Sequence, residues 1–282
     1  MRSIRAAAAL LCVLLCVLPF STSGAAAQER KAPDALTASP VAGREHFQLK
    51  VGAGYDQGDF GTSDTTRSFY APVTFRYLGE RFDVGVTASL IYLDTDSSVV
   101  VIDGQPTPAE RQRHGAAAGF GDLYFKGRYY LLDDAGLDSW VPGLAPFLKV
   151  KAPTADADKG LGTGAWDVGF GLEWDKRFRE FFLLGDVSYT VIGEPPGQHF
   201  RNRLAASVGI GRQFTSDIAG TLLLDWRRAI VAGRDDALEL VGIVQWRLAR
   251  TLTVSPYLFV GLTDGSPDVG LGIEVSWKFG RY

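Results

Sequence analysis

Residues 269–279 read VGLGIEVSWKF, and this stretch decides the fold. Every second residue is apolar, from Val269 through Ile273 to Phe279, and the residues between them are glycine, polar or charged. Side chains on a β-strand point alternately to the two faces of the sheet. The period of two therefore predicts a strand with one apolar face and one polar face.

The same alternation recurs along the chain from residue 47 onward and predicts about twelve strands of about ten residues each. The segment at 144–151 is the weakest of them because Pro146 lies inside it, and the segment at 204–210 is short. The count carries a margin of two strands. The predicted strands span 47–56, 68–77, 82–92, 122–131, 144–151, 166–175, 181–191, 204–210, 218–227, 238–248, 252–262 and 269–279.

The connections between these strands alternate between long and short, with an exception at residues 132–143. A transmembrane β-barrel has this organisation, with long external loops, short periplasmic turns and an even number of strands. A soluble sandwich also has alternating strands, but nothing in its physics requires long and short connections to alternate. The sequence therefore predicts an all-β fold, a transmembrane antiparallel β-barrel of about twelve strands with both termini in the periplasm.

Aromatic residues of the apolar faces cluster near both ends of the strands. Rings with an apolar body and a polar tip favour the membrane–water interfaces, so we expect two outward girdles. Aromatic residues that simply end the strands of a soluble core are the alternative. The set near the short turns is Phe47, Tyr77, Phe82, Tyr129, Trp174, Phe181, Trp246, Trp277 and Phe279, and the set near the long loops is Tyr55, Phe69, Tyr92, Trp166, Tyr189 and Trp226.

The opposite face of the strands carries many charges. They cannot face lipid, because a Lys or Arg at the bilayer midplane costs about 2–4 kcal/mol. Lys149 and Lys151 lie on one strand, and the next strand offers Asp167 and Glu173 as partners. A closed, salt-bridged lumen and a polar pore are both open interpretations. The candidate lumen-lining residues are Arg76, Asp122, Lys126, Arg128, Lys149, Lys151, Asp167, Glu173, Asp186, Asp225, Arg227, Glu239 and Glu274.

Residues 1–27 have the organisation of a secretory signal peptide. Arg2 and Arg5 precede an apolar run at 6–20, and an A-x-A cleavage site follows at 25–27. A single membrane anchor is the alternative, although the apolar run is short for one.

The remaining chain divides into a flexible periplasmic leader at 28–45 and the barrel at 46–282. Both cysteines, Cys12 and Cys16, fall in the predicted signal peptide, so the mature chain contains none. An exported chain of this kind uses neither disulfides nor cysteine-based metal sites.

Composition and motifs exclude several classes of protein. The formal net charge of −3 argues against a general nucleic-acid binder. No Walker or HExxH motif is present, and Asp156, Asp158 and Gly160 supply only a fragment of a calcium loop. We therefore expect no cofactor, no metal and no catalysis, with His199 as the residue to watch if the chain were a barrel hydrolase.

Two stretches resemble the MetA-pathway of phenol degradation family. They are GDLYFKGRYYL at 121–131 and KVKAPT at 149–154, the second followed by GLGTGAWDVG at 160–169. Members of this family resemble outer-membrane barrels proposed to pass aromatic or other hydrophobic compounds. The resemblance implies a β-barrel outer-membrane transporter and supplies no catalytic or binding residues.

The chain ends in an aromatic residue, Tyr282, as outer-membrane proteins tend to, which implies recognition by the barrel-assembly machinery. Strict alternation would place Arg281 rather than Tyr282 on the apolar face, so we expect a bend or bulge there. The expected partners are outer-membrane lipid, lipopolysaccharide and a small-molecule solute, with no nucleic acid.

These observations predict an outer-membrane channel of a Gram-negative bacterium that passes small molecules, aromatic or hydrophobic ones among them, by passive diffusion. A structural or adhesive barrel with a closed lumen is the main alternative, and a barrel hydrolase is the least favoured. The loop at 94–115 is expected to be mobile. The alternatives are that it folds inward and narrows the entrance, or that Arg111 and Arg113 contact lipopolysaccharide phosphates. The inward aromatic residues either form a path for an apolar solute or pack the lumen; they are Tyr124, Tyr130, Phe147, Phe182, Tyr257 and Phe259.

Overall fold

The computed structural model describes residues 46–97, 99–102, 105–108, 115–195 and 197–280. The predicted signal peptide, the leader and Tyr282 lie outside these residues. Within them the regular elements are β-strands. No helix long and apolar enough to cross a membrane occurs among these residues. The strands are β1 His46–Gly58, β2 Thr66–Leu78, β3 Phe82–Thr95, β4 Val99–Ile102, β5 Gln105–Pro108, β6 Gly115–Phe120, β7 Leu123–Tyr129, β8 Gly143–Ala152, β9 Asp167–Phe178, β10 Phe181–Val191, β11 Arg203–Gln213, β12 Ile218–Arg227, β13 Ala237–Ala249, β14 Leu252–Gly261 and β15 Val269–Gly280.

The wall of the molecule is a closed antiparallel barrel. Each wall strand pairs with its neighbours in sequence, and β15 returns to pair with β1. Both β6 and β7 pair with β3, so together they count as one strand of the wall. The predicted twelve-stranded antiparallel barrel is therefore confirmed, and closure removes the free edges that an open sheet would expose.

The fourth wall strand differs from the prediction. It begins at Gly115, seven residues before the predicted start, and β7 ends at Tyr129, so Leu131 lies beyond it. Leu90 pairs with Phe120 while Thr87 pairs with Tyr124, which leaves one extra residue between β6 and β7. This bulge shifts the alternation by one residue, and simple period-two counting cannot detect such a shift.

The two faces of the wall are reversed relative to those of a soluble protein. Outward side chains are apolar and exposed, as Val84 and Trp277 show, whereas inward polar residues such as Gln48 and Glu239 are fully buried. Such an arrangement is stable where the outside is lipid and the inward polar groups can pair with one another or with water.

The outward aromatic residues lie at two levels. Near the short turns, the ring of Phe47 stacks on Phe279 at 5.9 Å and lies 5.6 Å from Tyr77. Near the long loops, the rings of Phe170 and Tyr189 are 5.8 Å apart. Two levels of outward rings are typical of the girdles of membrane barrels.

The connections divide the barrel into two ends. One end, here called the short-turn end, carries 79–81, 179–180, 214–217 and 250–251, together with the longer connection 130–142. The other, the long-loop end, carries 59–65, 96–114, 153–166, 192–202, 228–236 and 262–268. Both ends of the described wall, His46 and Gly280, pair with each other at the short-turn end.

Candidate solute pathway through the barrel

A small hairpin formed by β4 and β5 fills part of the lumen at the long-loop end. Val101 pairs with Pro106 and Val100 with Thr107, and all four residues of β4 are buried. Successive residues of β4 face opposite sides, so this strand contacts two different surroundings. The hairpin narrows the entrance. The described part of the loop at 94–115 therefore folds inward, which was one of the expectations for it.

One face of the hairpin packs on the inner wall. Val99 and Val101 join a cluster with inward residues of β2, β3 and β6 and with Leu161 of the 153–166 loop. The amide of Val101 donates a 2.8 Å hydrogen bond to the carbonyl of Gly160. The opposite face, Val100 and Ile102, packs on Ile192 and Ile230 from two other long loops.

A cavity of about 160 Å³ lies in the lumen beneath the hairpin. One arc of its lining is apolar. This arc includes Ile91 of β3, Val101 of the hairpin, and Val241 and Ile243 of β13. The remaining arc is polar and charged. Its charged members are Asp122, Lys126, Lys149, Asp186, Arg203, Asp225 and Arg227.

A second cavity, of about 130 Å³, lies at the mouth between β5 and the loops 228–236 and 262–268. Arg203 and Arg227 line both this cavity and the central one. The two spaces are therefore neighbours that share these two arginine side chains, one from β11 and one from β12.

A network of charges occupies the wall towards the short-turn end. Asp83 contacts Arg76 at 2.8 Å and Arg128 at 3.0 Å, and the Tyr130 hydroxyl donates to it at 2.6 Å. Arg128 also contacts Glu173 at 2.7 Å, and Lys126 contacts it at 3.0 Å. These charges satisfy one another, which is how charged groups are tolerated in a buried site.

A second cluster lies near the long-loop end, beside the bulge. The ammonium group of Lys151 is 2.9 Å from Asp167 and 3.4 Å from Asp122, and it donates to the Thr163 hydroxyl at 2.8 Å. The bulge turns Asp122 into this cluster. Asp122 also accepts the amide of Ala155, so the cluster holds the start of the 153–166 loop.

Most of the candidate lumen-lining residues contact one another or other polar side chains of the wall. Lys151 contacts Asp167 as expected, and Glu173 contacts Lys126 and Arg128 of β7. The ammonium group of Lys149 lies 5.2 Å from the centre of the Tyr124 ring. The other candidates contact inward groups: Asp186 with Ser207, Arg227 with Glu239, and Glu274 with Lys50 at 3.1 Å, while Asp225 lines the central cavity.

The inward aromatic residues divide between path and packing. Tyr124, Phe147 and Tyr257 line the central cavity. Phe182 and Phe259 are buried in an apolar cluster of β10 and β12–β14, as the packing interpretation expects. Some of the inward aromatic residues therefore line the cavity, and others pack the lumen.

Two features of the pathway were missed at the level of sequence. Arg203 was left out because the predicted strand began at Leu204. The hairpin had a signal, since four apolar residues at 99–102 precede Asp103-Gly104, a dipeptide typical of hairpin turns.

The residues singled out from the sequence for catalytic or metal chemistry have local partners. The ring of His199 is exposed and lies 3.3 Å from a carboxylate oxygen of Glu194. Asp156 is engaged by Lys159 at 3.1 Å rather than aimed at an ion site. The described part of the chain contains no group of three or more acidic, His or Cys residues arranged to hold a metal.

A closed barrel with an apolar outside, two levels of aromatic rings and a charged lumen defines an outer-membrane β-barrel protein. The chain belongs to the family described as "Putative MetA-pathway of phenol degradation", whose profile matches residues 39–279. The predicted family is thus confirmed over most of the chain.

Solved structures share the fold. The COG4313 outer membrane channel from Pseudomonas putida F1 is 14% identical with a TM-score of 0.62, and the match covers 86% of this chain and 100% of that one. The NanC porin is 11% identical with a TM-score of 0.50, and the match covers 82% of this chain and 100% of the porin. At these identities the likeness concerns the fold alone.

Proposed function

We propose that the protein is a passive outer-membrane channel for small molecules that combine an apolar ring with a polar substituent. The central cavity carries this proposal, because its lining is apolar on one arc and charged on the other. A cavity of about 150 Å³ suffices for one benzene molecule. The volume of about 160 Å³ therefore suits one aromatic ring at a time.

The lining residues have distinct roles in this proposal. Ile91, Val241 and Tyr257 offer an apolar surface for the ring, and Lys149 and Asp225 offer polar contacts for its substituents. Weak, distributed contacts of this kind let a solute enter and leave, as passive conduction requires. Among similar folds, the COG4313 protein is itself named an outer membrane channel.

We also propose how the barrel is oriented in the membrane and how the chain is exported. The long-loop end faces the outside, and the short-turn end, where both ends of the wall meet, faces the periplasm. The predicted signal peptide at 1–27 directs export, and the barrel-assembly machinery recognises the last strand with Tyr282. Lipid and lipopolysaccharide surround the apolar wall.

Single-channel recording in planar bilayers tests this function. The purified mature protein is expected to give small conductance steps, because the hairpin narrows the entrance. Thr95 and Gly115 pair with each other, so a short Gly-Ser linker between β3 and β6 can replace residues 97–113 without breaking the wall. This variant is expected to conduct several-fold more than the wild type.

A matched control carries the same linker inserted in the 214–217 turn, far from the hairpin, and should conduct like the wild type. The structural alternative rests on the buried hairpin and the paired charges, which together narrow the lumen. If neither the wild type nor the hairpin deletion conducts, and neither takes up aromatic solutes in proteoliposomes, the channel function is wrong and the structural role is favoured.

A further inference from the structure

The connection 130–142 differs from its neighbours at the short-turn end. The other connections that the structure describes there are tight turns of two to four residues. This one is longer and is well ordered by its own bonds: the amide of Ala135 donates to the carbonyl of Val141 at 3.3 Å, and Ser139 donates to Gly136 at 3.4 Å. Compact loops of this kind have a defined conformation and are frequently functional.

Asp134 fixes the connection to the wall. β8 begins at Gly143, opposite Asp175, so the last residues of β9 extend past it without a β8 partner. The carboxylate of Asp134 accepts the amide of Arg177 at 2.9 Å and pairs with the ammonium of Lys176. Lys176 also donates to the carbonyl of Gly136 at 2.7 Å.

The tip of the connection lies on the outer side of the wall. Lys176 is opposite Leu183 and Phe178 is opposite Phe181, both on the outward face of β10. The ring of Trp140 is 5.6 Å from that of Phe178. Trp140 therefore continues the aromatic girdle of the short-turn end.

The side chains at the tip are apolar and exposed. Trp140 is 85% exposed, Leu137 is 58% exposed and Val141 is 46% exposed. Such a patch on an ordered segment marks a surface that something else covers.

We propose that residues 137–141 are an interfacial anchor that lies in the phospholipid headgroup region at the short-turn end. The patch is continuous with the lipid-facing wall and at the level of its aromatic girdle, where tryptophan is favoured. Asp133 precedes this segment and Asp138 lies within it, and both are exposed, as groups at the water side of an interface are. The assignment to the periplasmic leaflet rests on the orientation proposed above; the contact with lipid does not.

Fluorescence quenching tests the anchor, and the absence of cysteine from the mature sequence allows a single label. Leu137→Cys places an environment-sensitive fluorophore in the patch. Ser216→Cys, in the tight 214–217 turn, places it at the same end of the barrel but outside the patch. Both labelled proteins are reconstituted into phosphatidylethanolamine–phosphatidylglycerol vesicles, and folding is checked by the mobility of unheated samples in detergent gels. Val141→Cys replaces Leu137→Cys if that variant does not fold.

A phospholipid with a nitroxide near its headgroup is expected to quench the Leu137 label several-fold more than the Ser216 label. Aqueous iodide should show the opposite preference. If iodide quenches both labels equally and the nitroxide lipid quenches neither, the tip faces water and the anchor is wrong. If neither quencher reaches the Leu137 label, protein covers the patch, and a second copy of the chain replaces lipid as its occupant. Neither quenching measurement depends on conduction. The experiment can therefore disprove the anchor without affecting the proposed channel function, and the conductance test can disprove the channel without affecting the anchor.

Discussion

Asp83 shows how single residues hold the lumen together. Its side chain is almost fully buried. The carboxylate pairs with Arg76 and Arg128 and accepts a hydrogen bond from the Tyr130 hydroxyl. Asp83→Asn removes the anion and leaves two guanidinium groups in a buried site. Because breaking a buried ion pair costs about 3–5 kcal/mol, we expect the free energy of unfolding to fall by about that amount. Urea unfolding in detergent micelles, followed by tryptophan fluorescence, measures it.

Asp94→Asn is the matched control for that variant. Asp94 also pairs with an arginine, Arg67, but at 3.8 Å and with both side chains largely exposed. Exposed pairs contribute about 0–1 kcal/mol, so this variant should unfold close to the wild type. Equal effects from the two substitutions would contradict the role assigned to Asp83.

The pKa of Asp134 gives a prediction with a definite sign. Burial alone would raise this pKa, but hydrogen bonds from Lys176 and from the amides of Arg177 and Gly136 outweigh burial and lower it. A lowered folded-state pKa stabilises the protein above the unfolded value of about 3.9, and that stability is lost as the pH falls through the folded value. The stability difference between wild type and Asp134→Asn should thus be constant from pH 5 to 8 and shrink below about pH 4.

Urea unfolding at a series of pH values gives this difference directly. Asp138→Asn, on the same connection and exposed, is the control for removing a carboxylate and should unfold close to the wild type at neutral pH. A difference between wild type and Asp134→Asn that grows in acid would reverse the sign and contradict the assignment.

At the scale of single residues, inward or outward direction could be predicted from sequence because period two leaves only two choices. Partners could not be predicted, since a charge can pair along, across or diagonally to a strand. Glu173 of β9 pairs with Lys126 and Arg128, which lie on β7, two strands away in the wall.

Among the elements, the bulge between β6 and β7 connects the wall to the hairpin. It directs Asp122 towards Lys151, and the cluster they form with Asp167 orders the 153–166 loop, whose Gly160 receives the amide of Val101. Lys151→Met leaves two buried carboxylates without their cation. We expect that loop to loosen, and trypsin to cleave after the exposed Lys159 several-fold faster than in the wild type.

Lys149→Met is the control, because Lys149 lies on the same strand and the same face, and its ammonium group lies over the ring of Tyr124. Each variant removes one lysine, so the number of trypsin sites stays matched. Mass spectrometry of the fragments identifies the cleaved bond. Equal cleavage rates in the two variants would show that the Lys151 cluster does not order the loop.

The strands of the wall could be predicted at this scale, since each carries its own periodic signal and lipid imposes the same rule on all of them. The hairpin could not be placed in the lumen, although its apolar residues were visible, because they contact parts of the chain that sequence does not bring together. Val100 and Ile102 contact Ile192 and Ile230, which lie ninety or more residues away along the chain.

For the whole molecule, the barrel reverses the usual distribution of residues, and the reversal explains why its average composition is ordinary. A hydrophobic fraction of 46% is typical of soluble proteins, yet here the apolar residues cover the outside and the charges are paired within. The lumen is partly filled by chain, with an apolar hairpin at one end and an ion-pair network at the other. What is left between them is a space of aromatic size.

The difference in loop length between the two ends of the barrel predicts its orientation in the membrane. Long loops are expected outside the cell because short turns suffice on the periplasmic side. Asp235→Cys, in the exposed 228–236 loop, should react in intact cells with a maleimide that cannot cross membranes. Ser216→Cys, at the short-turn end, should react only after the outer membrane is broken. Because the mature sequence has no cysteine, each reaction reports one position. Labelling of Ser216→Cys but not Asp235→Cys in intact cells would invert the barrel and place the hairpin at the periplasmic mouth.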